Sequence, residues 1–272
     1  MKRLIITFAV LALSFGAFAQ ELTILHLNDT HSHIDPERSG KHAGKGGVVE
    51  QALYIDEVRA EEGKKNVLLL HAGDFSQGSS YFTELNGDLE IDILNAFKYD
   101  AVCLGNHEFD NGIDELARRL GNLKVPVVCA NYDFSASPLA KYVKPYVIVK
   151  KAGLKIGIIG LLTDLSEVVN SDIAAQMKYQ HPVDVTNRYA KYLKEEKKCD
   201  LVICLTHLGF EDESYTDVMM APLTRNVDII VGGHSHTKLK EEARIKNLDG
   251  KDVIIVTAWK WGMTVGKLSV EL

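Results

Sequence analysis

The sequence has little cysteine: its 272 residues include four. So few cysteines exclude a small scaffold held together by disulfides. The sequence also lacks a basic excess, since 31 Lys and Arg residues stand against 37 Asp and Glu residues, for a formal charge of −6. This balance argues against a nucleic-acid-binding surface. A small anionic substrate remains compatible with it, because bound metal ions can supply positive charge that composition does not count.

Internal repeats, low-complexity tracts and linkers are also absent. Hydrophobic residues make up 46% of the chain and charged residues 25%, the ordinary balance of a globular protein. This composition excludes a disordered chain, a collagen-like repeat and a multi-pass membrane protein. The length suits one large domain or two small ones. Since no linker is visible, we predict a single domain over residues 20–272.

The N-terminal segment predicts a signal peptide over residues 1–19. Lys2 and Arg3 precede an almost wholly apolar stretch, and Ala17-Phe18-Ala19 has the small-x-small form of a signal-peptidase site. A retained membrane anchor is the alternative, but the apolar run is short for a span of about 20 residues. We therefore expect cleavage after Ala19 and a periplasmic or secreted protein with no membrane span. Export permits disulfides; we favour free buried thiols and leave a Cys103–Cys129 bridge open.

Short apolar runs rich in Val, Ile and Leu alternate with helix-like segments. The runs show little polar alternation, which is typical of strands covered on both faces. Nine of them are predicted as strands: 22–27, 67–70, 101–104, 125–130, 147–149, 155–162, 201–206, 227–231 and 253–257. The segments predicted as helices are 48–62, 89–97, 113–120, 183–198 and 214–224. This alternation indicates an α/β domain.

Five of the strand-like runs are followed by clusters of polar residues. The side chains of interest in these clusters are Asp29, His31, Asp74, Asn106, His107, His207, His234 and His236. In α/β folds, ligands bind beyond the carboxyl ends of the strands, because the loops there converge on one crevice. We therefore expect clusters from different strands to meet in space.

These residue types predict a site for two metal ions. Asp29 and His31 are two residues apart, so in an extended chain both side chains would leave on the same side. A carboxylate beside an imidazole suits a divalent transition metal. Asp74 could bridge two cations, and Asn106 offers a neutral amide oxygen. Seven donors exceed one tetrahedral site, but with one of them shared they fit two four-ligand sites. The seven are Asp29, His31, Asp74, Asn106, His207, His234 and His236.

The motifs together resemble those of the calcineurin-like metallophosphoesterases. The resemblance rests on Asp29-x-His31, Gly73-Asp74, Gly105-Asn106-His107-Glu108, His207 and Gly233-His234-Ser235-His236, which occur in the family's order. The fuller strings at residues 27–33 and 105–110 look like the 5′-nucleotidase branch. The resemblance runs from about Leu22 to the C-terminus. It implies an α/β fold of the four-layer αββα sandwich type, which the run pattern alone does not distinguish from a single doubly wound sheet.

The resemblance also implies a role for each site residue. One metal would be held by Asp29, His31, Asp74 and His236, and the second by Asp74, Asn106, His207 and His234. His107 would be the catalytic histidine with Asp110 as its partner, and Asn106 and His107 would contact the substrate. The implied reaction is hydrolysis of nucleoside 5′-monophosphates or related phosphate monoesters by a hydroxide bridging two divalent metals. The nitrogen-rich donor set favours Mn, Zn, Co or Fe over Mg or Ca.

Several alternatives to this function stay open. The same site could hydrolyse UDP-sugars, 2′,3′-cyclic nucleotides or sulfur esters, or the domain could bind a metal or nucleotide without catalysis. His107 and Asp110 argue against a binding domain, since a binder needs no acid. In the full-length 5′-nucleotidases that this sequence resembles, a substrate domain follows the catalytic domain. This sequence ends after a strand-like run at residues 265–272. Either a separate chain supplies the substrate domain, or this domain acts alone with broad selectivity.

Overall fold

A computed structural model describes residues 21–211 and 215–271. The strands are β1 (Glu21–Leu27), β2 (Val67–His71), β3 (Ala101–Cys103), β4 (Val127–Val128), β5 (Tyr132–Asp133), β6 (Val143–Lys144), β7 (Tyr146–Lys151), β8 (Leu154–Leu162), β9 (Lys178–Tyr179), β10 (Leu201–His207), β11 (Ile229–Gly232), β12 (Ala243–Lys246), β13 (Asp252–Thr257) and β14 (Gly266–Glu271). The helices are α1 (Val48–Glu62), α2 (Ser80–Leu85), α3 (Asp88–Phe97), α4 (Ile113–Leu120), α5 (Ser171–Ala174), α6 (Pro182–Glu195) and α7 (Asp217–Met220). The predicted signal peptide lies outside the described residues.

Two six-stranded sheets form the centre of the molecule. The first sheet has the order β14-β1-β2-β3-β4-β6, and the second has the order β12-β13-β11-β10-β8-β7. Strands β1, β2, β3, β4 and β6 run parallel, as do β8, β10, β11 and β13 in the second sheet. Strands β14, β7 and β12 pair antiparallel at the sheet edges.

The sheets pack face to face because alternate side chains of each strand point to opposite faces. Leu22, Ile24 and Leu70 from the first sheet share one buried cluster with Ile158 and Ile203 from the second. The intervening residues of β1 and β2 instead pack against α1 and α3, and those of β8 and β10 pack against α6. The layers are therefore helix, sheet, sheet and helix, which is the predicted αββα sandwich in a single domain.

Two of the predicted helices have the observed bounds, and others differ. Helices α1 and α4 cover the predicted ranges. The predicted helix at 214–224 begins outside the described residues, and over residues 215–224 it is wrong in its extent, because the α-helix covers Asp217–Met220 and a 3-10 turn follows at Ala221–Leu223. Pro222 lies within that turn, and its missing N–H does not support a continuing α-helix. The predicted strand at 125–130 shortens to the two residues of β4.

The four cysteines are free and buried: Cys103, Cys129, Cys199 and Cys204. The bridge left open between Cys103 and Cys129 is therefore not formed. The Sγ of Cys103 donates to the carbonyl of Leu161, 3.1 Å away, which ties β3 to β8. Within the two described stretches, no helix has both the length and the apolar character needed to cross a bilayer.

Candidate metal centre

Six of the seven predicted metal ligands fall into close groups at the carboxyl ends of strands from both sheets, and the seventh, Asn106, lies in the loop after β3. Asp29, Asp74 and Asn106 follow β1, β2 and β3, while His207 ends β10 and His234 follows β11. Ligand atoms of Asp29, His31 and His236 lie within 4.8 Å of one another, as do those of Asp74, His207 and His234. A third group joins His31, Asp74 and His107 under the same limit.

Asp74 is the carboxylate that connects these groups. Its Oδ2 lies 3.1 Å from His31 Nε2 and 3.0 Å from His207 Nε2. Its Oδ1 accepts the main-chain N–H of His107 at 3.0 Å. One oxygen thus faces two imidazoles while the other is held by the backbone, an orientation that suits a carboxylate bridging two cations.

Asp29, like Asp74, faces histidine side chains and accepts a main-chain hydrogen bond. It is fully buried, and its Oδ1 lies 3.8 Å from His31 Nε2 and 3.4 Å from His236 Nε2. The main-chain N–H of His234 donates to Asp29 Oδ2 at 2.9 Å. Asn28 donates its Nδ2 to Asp29 Oδ2 and to the carbonyl of Trp259, both at 2.6 Å. Asn28 therefore orients a predicted ligand, a contact that the sequence reasoning missed although Asn28 directly precedes Asp29 in the chain.

The backbone at the ligands is left-handed. Five of the seven predicted ligands have a positive φ: Asp29 (50°), His31 (45°), Asp74 (53°), His234 (81°) and His236 (52°). The extended geometry predicted for Asp29 and His31 is therefore wrong, because β1 ends at Leu27 and both residues lie in the following turn. A residue other than glycine in this left-handed conformation costs about 1–3 kcal/mol of folding free energy, and such residues concentrate at functional sites.

Glycine allows the loops to approach closely. Gly73 has a φ of +85°, and a Cβ there would lie 2.7 Å from the main-chain nitrogen of Gly105 and 2.7 Å from His207 Nδ1. The loop after β2 therefore touches both the loop after β3 and the end of β10. Any larger residue would separate the ligands that these elements carry.

Two buried atoms with lone pairs show whether the residues fit a metal ion. Asn106 Oδ1 and His207 Nε2 have no hydrogen-bond partner among the described residues; His207 Nε2 is close to Asp74 but not in hydrogen-bond geometry. His207 Nδ1 donates to the carbonyl of Ala72, 2.7 Å away, so Nε2 is the ring nitrogen whose lone pair a cation would use in place of a proton. Buried polar atoms are normally satisfied, and a cation held by this oxygen and this nitrogen would satisfy both.

The electrostatics favour positive charge at the centre. Burial lowers the pKa of His207, but the charges of Asp74 and Asp29 outweigh that effect and raise it to about 10. Burial raises the pKa of Asp74, and His207 and His31 more than reverse the effect, so this pKa lies well below its usual value. The carboxylates that stabilise a proton on His207 would equally stabilise a divalent ion in its place.

His107 stands beside the ligands and reaches solvent. Its Nδ1 donates to Asp110 Oδ2 at 2.9 Å, and its side chain is 27% exposed. Partial burial lowers the pKa of His107. The hydrogen bond to Asp110 and the charge of Asp74 raise it by more than burial lowers it, so the pKa lies above its usual value. A histidine held in this way favours its protonated form and can donate a proton.

Two other histidines within strands do not join the ligand groups. His26 and His71 are buried, and burial lowers the pKa of His26 to about 4 and that of His71 to about 3. His71 Nε2 lies 3.2 Å from the hydroxyl of Thr30, next to Asp29 and His31. Both histidines are therefore buried core residues, and His71 lies next to the loop that carries two of the predicted ligands.

Comparison with known proteins identifies related sequences. The family model of the calcineurin-like phosphoesterases matches residues 22–238. A probable 5′-nucleotidase of Treponema pallidum (strain Nichols) is 35% identical over 92% of this chain and 45% of that protein. A snake venom 5′-nucleotidase of Naja atra is 35% identical over 94% of this chain and 50% of that protein. The chain thus spans about half the length of these relatives.

A solved structure shares the fold. The 5′-nucleotidase precursor from Thermus thermophilus matches with a TM-score of 0.81 and 34% sequence identity. The match covers 93% of this chain and 51% of that one.

Proposed function

The chain belongs to the calcineurin-like phosphoesterase family, a class of metal-dependent phosphoric ester hydrolases, as its motifs predicted, and we propose that it is an exported enzyme that hydrolyses nucleoside 5′-monophosphates or related phosphate monoesters. The observation that carries the proposal is the position of Asp74 Oδ2, 3.1 Å from His31 Nε2 and 3.0 Å from His207 Nε2. One carboxylate oxygen between two imidazole groups supports a dinuclear centre. The 5′-nucleotidase relatives support the substrate class.

We assign the ligands as the motifs imply. Asp29, His31, Asp74 and His236 would hold one divalent ion, and Asp74, Asn106, His207 and His234 the other. When bound, divalent ions would lower the pKa of a coordinated water molecule and offset the charge of phosphate oxygens. Five nitrogen- or amide-bearing donors beside two carboxylates favour Mn, Zn, Co or Fe.

His107 and Asp110 act on the leaving group in this proposal. His107 is close to the ligand groups and open to solvent, so a phosphate ester at the metals would present its leaving oxygen to the imidazole. The proton on His107 would pass to that oxygen as the phosphorus–oxygen bond breaks. Asp110 fixes the orientation of the ring and stabilises its cationic form. Asn106, beside His107, would contact the phosphate as well as a metal.

Recognition of the nucleoside requires groups beyond the candidate metal centre. The relatives are about twice as long as the region matched here, and we propose that recognition of the nucleoside depends on residues outside this sequence, for which a separate chain is one source. Addition of an exported partner that carries such a domain would then raise kcat/KM for nucleotides. If no partner raises it, a domain acting alone with broad selectivity is favoured.

An ester screen tests the proposal. The purified protein, loaded in turn with Mn²⁺, Co²⁺, Zn²⁺ and Mg²⁺, is assayed with nucleoside 5′-monophosphates, a UDP-sugar, a 2′,3′-cyclic nucleotide and a sulfur ester. We expect the highest turnover with 5′-monophosphates and a transition metal, and none after treatment with a chelator. Preference for another ester would reassign the substrate, and no hydrolysis by fully metallated protein would favour the binding domain. Sequencing the N-terminus of the native protein tests export, since cleavage should leave Gln20 first.

A further inference from the structure

Glu108 is a buried carboxylate that the sequence reasoning quoted within a motif but gave no role. Its side chain is fully buried behind the metal ligands. Its Oε2 accepts the main-chain N–H of Asp74 at 2.9 Å and that of Gly105 at 2.7 Å. Its Oε1 accepts the main-chain N–H of Ser76 at 3.0 Å. One side chain therefore binds three backbone groups.

These three backbone groups belong to two different ligand loops. Asp74 and Ser76 lie in the loop after β2, and Gly105 lies in the loop after β3, directly before Asn106. Since Asp74 and Gly105 donate to the same oxygen of Glu108, their main chains are held side by side. The N–H of His107 in turn binds Asp74 Oδ1, which leaves Asp74 Oδ2 on the side of the imidazoles.

Arg119 anchors this arrangement from the next helix. It lies in α4 and is fully buried. Its Nη2 donates to the main-chain carbonyl of Glu108 at 2.7 Å, and its Nη1 donates to Ser76 Oγ at 2.8 Å. The guanidinium also places a positive charge near the buried carboxylate, and removing one partner of such buried groups leaves the other uncompensated. We call Glu108, Ser76 and Arg119 the brace.

We propose that Glu108 is a positioning residue that, through the brace, sets the separation of Asp74 and Asn106. This separation in turn sets the affinity for the second divalent ion and the distance between the two ions. Asp74 is the shared ligand and Asn106 belongs to one metal alone, so the distance between them governs whether both ions are held. This inference rests on the metal centre of the proposed function and is independent of its substrate. Residues behind metal ligands typically contribute 10–100-fold to metal affinity.

The test compares two carboxylate-to-amide substitutions. Glu108→Gln keeps the size of the side chain, but its single acceptor oxygen cannot serve three N–H groups, and its NH₂ group would face a donor. Glu90→Gln is the matched control, because Glu90 lies in α3, is 3% exposed, and neither of its carboxylate oxygens has a hydrogen-bond partner among the described residues. Both variants are titrated with Mn²⁺ against a competing chelator, and the magnetic coupling of the manganese pair is recorded by electron paramagnetic resonance.

We expect Glu108→Gln to bind the second Mn²⁺ about 10–100-fold more weakly and to show a changed coupling within the pair. Glu90→Gln should match the wild type in both respects. Wild-type affinity and coupling in Glu108→Gln overturn the proposal, as does an equal loss in Glu90→Gln. Should Glu108→Gln fail to fold, Ser76→Ala removes one anchor of Arg119 and keeps the three N–H groups. Ser76→Ala should lower the affinity for the second Mn²⁺. Wild-type affinity in Ser76→Ala would overturn the proposed role of the brace.

The readout also separates this inference from the proposed function. If the wild-type protein binds two ions and hydrolyses no ester, the function fails and the role of Glu108 can still hold. If hydrolysis is found and Glu108→Gln binds both ions normally, only the positioning role fails.

Discussion

The two sheets contribute unlike halves to the candidate metal centre. The predicted ligands after the first sheet, Asp29, His31, Asp74 and Asn106, are all buried, and the two carboxylates are hydrogen-bonded to the main chain. Of those after the second sheet, only His207 is fully buried, and the side chain of His236 is 31% exposed. The N–H of His234 binds a carboxylate of the other half. The first half is thus buried and held by main-chain hydrogen bonds, and His234 of the second half is hydrogen-bonded to one of its carboxylates.

The strongest test of this contrast removes the shared carboxylate of the first half. Asp74→Ala should lose both divalent ions, and turnover should fall by more than about 10³-fold, because several electrostatic contacts to the reacting phosphate are lost together. Metal content by elemental analysis and turnover of a 5′-monophosphate measure the result. Retention of both ions would contradict the bridging role of Asp74.

The next test concerns a side chain of the first half that is assigned no metal. His107→Ala should reduce turnover by about 10²–10⁴-fold, the usual contribution of general acid–base catalysis, with both ions retained. Turnover and metal content are measured on the same preparation. Because a ring nitrogen of His107 lies within 4.8 Å of ligand atoms of His31 and Asp74, loss of an ion would identify His107 as a ligand.

A ligand of the second half should have a narrower effect. His236→Ala should lower the affinity for one ion by more than about 10²-fold, which exceeds the contribution of residues behind a ligand. The ion held by His207 and His234 should stay bound. The exposed His181→Ala serves as the control and should bind both ions normally. If His236→Ala loses both ions in a chelator titration, the two halves are more tightly coupled than the contrast implies.

The contact between the halves is tested through stability. Gly73→Ala should lower the free energy of unfolding by about 1–2 kcal/mol for the left-handed backbone and by a further 1–3 kcal/mol, roughly, for the clash with Gly105 and His207. Gly78 is the control, because its φ of +84° is nearly the same and a Cβ there meets nothing within 4 Å. Urea unfolding of both variants isolates the clash, and equal losses would show that the loops can separate at little cost.

The resemblance of the motifs implied the four layers, which the apolar runs alone did not distinguish from a single sheet, but neither predicted the local conformation of the candidate ligands. Helix α1 and the buried strands follow from local apolar patterns, which a single sequence displays. Helix α2 was missed, since Ser80–Leu85 buries none of its residues and so shows no apolar face. The left-handed turns at Asp29 and His31 were missed for another reason. Their main chains are held by the carbonyls of Gly73 and Asp74, which lie far away along the chain, and no local pattern records that contact.

The position of β14 has a consequence for biosynthesis. Residues Gly266–Glu271 pair antiparallel with Glu21–His26, the first strand of the described structure. The β1 ladder is therefore incomplete until the last strand has been made, a contact of very high sequence separation of the kind that slows folding. Until β14 pairs with it, β1 presents a row of unpaired main-chain N–H and C=O groups at the edge of the first sheet.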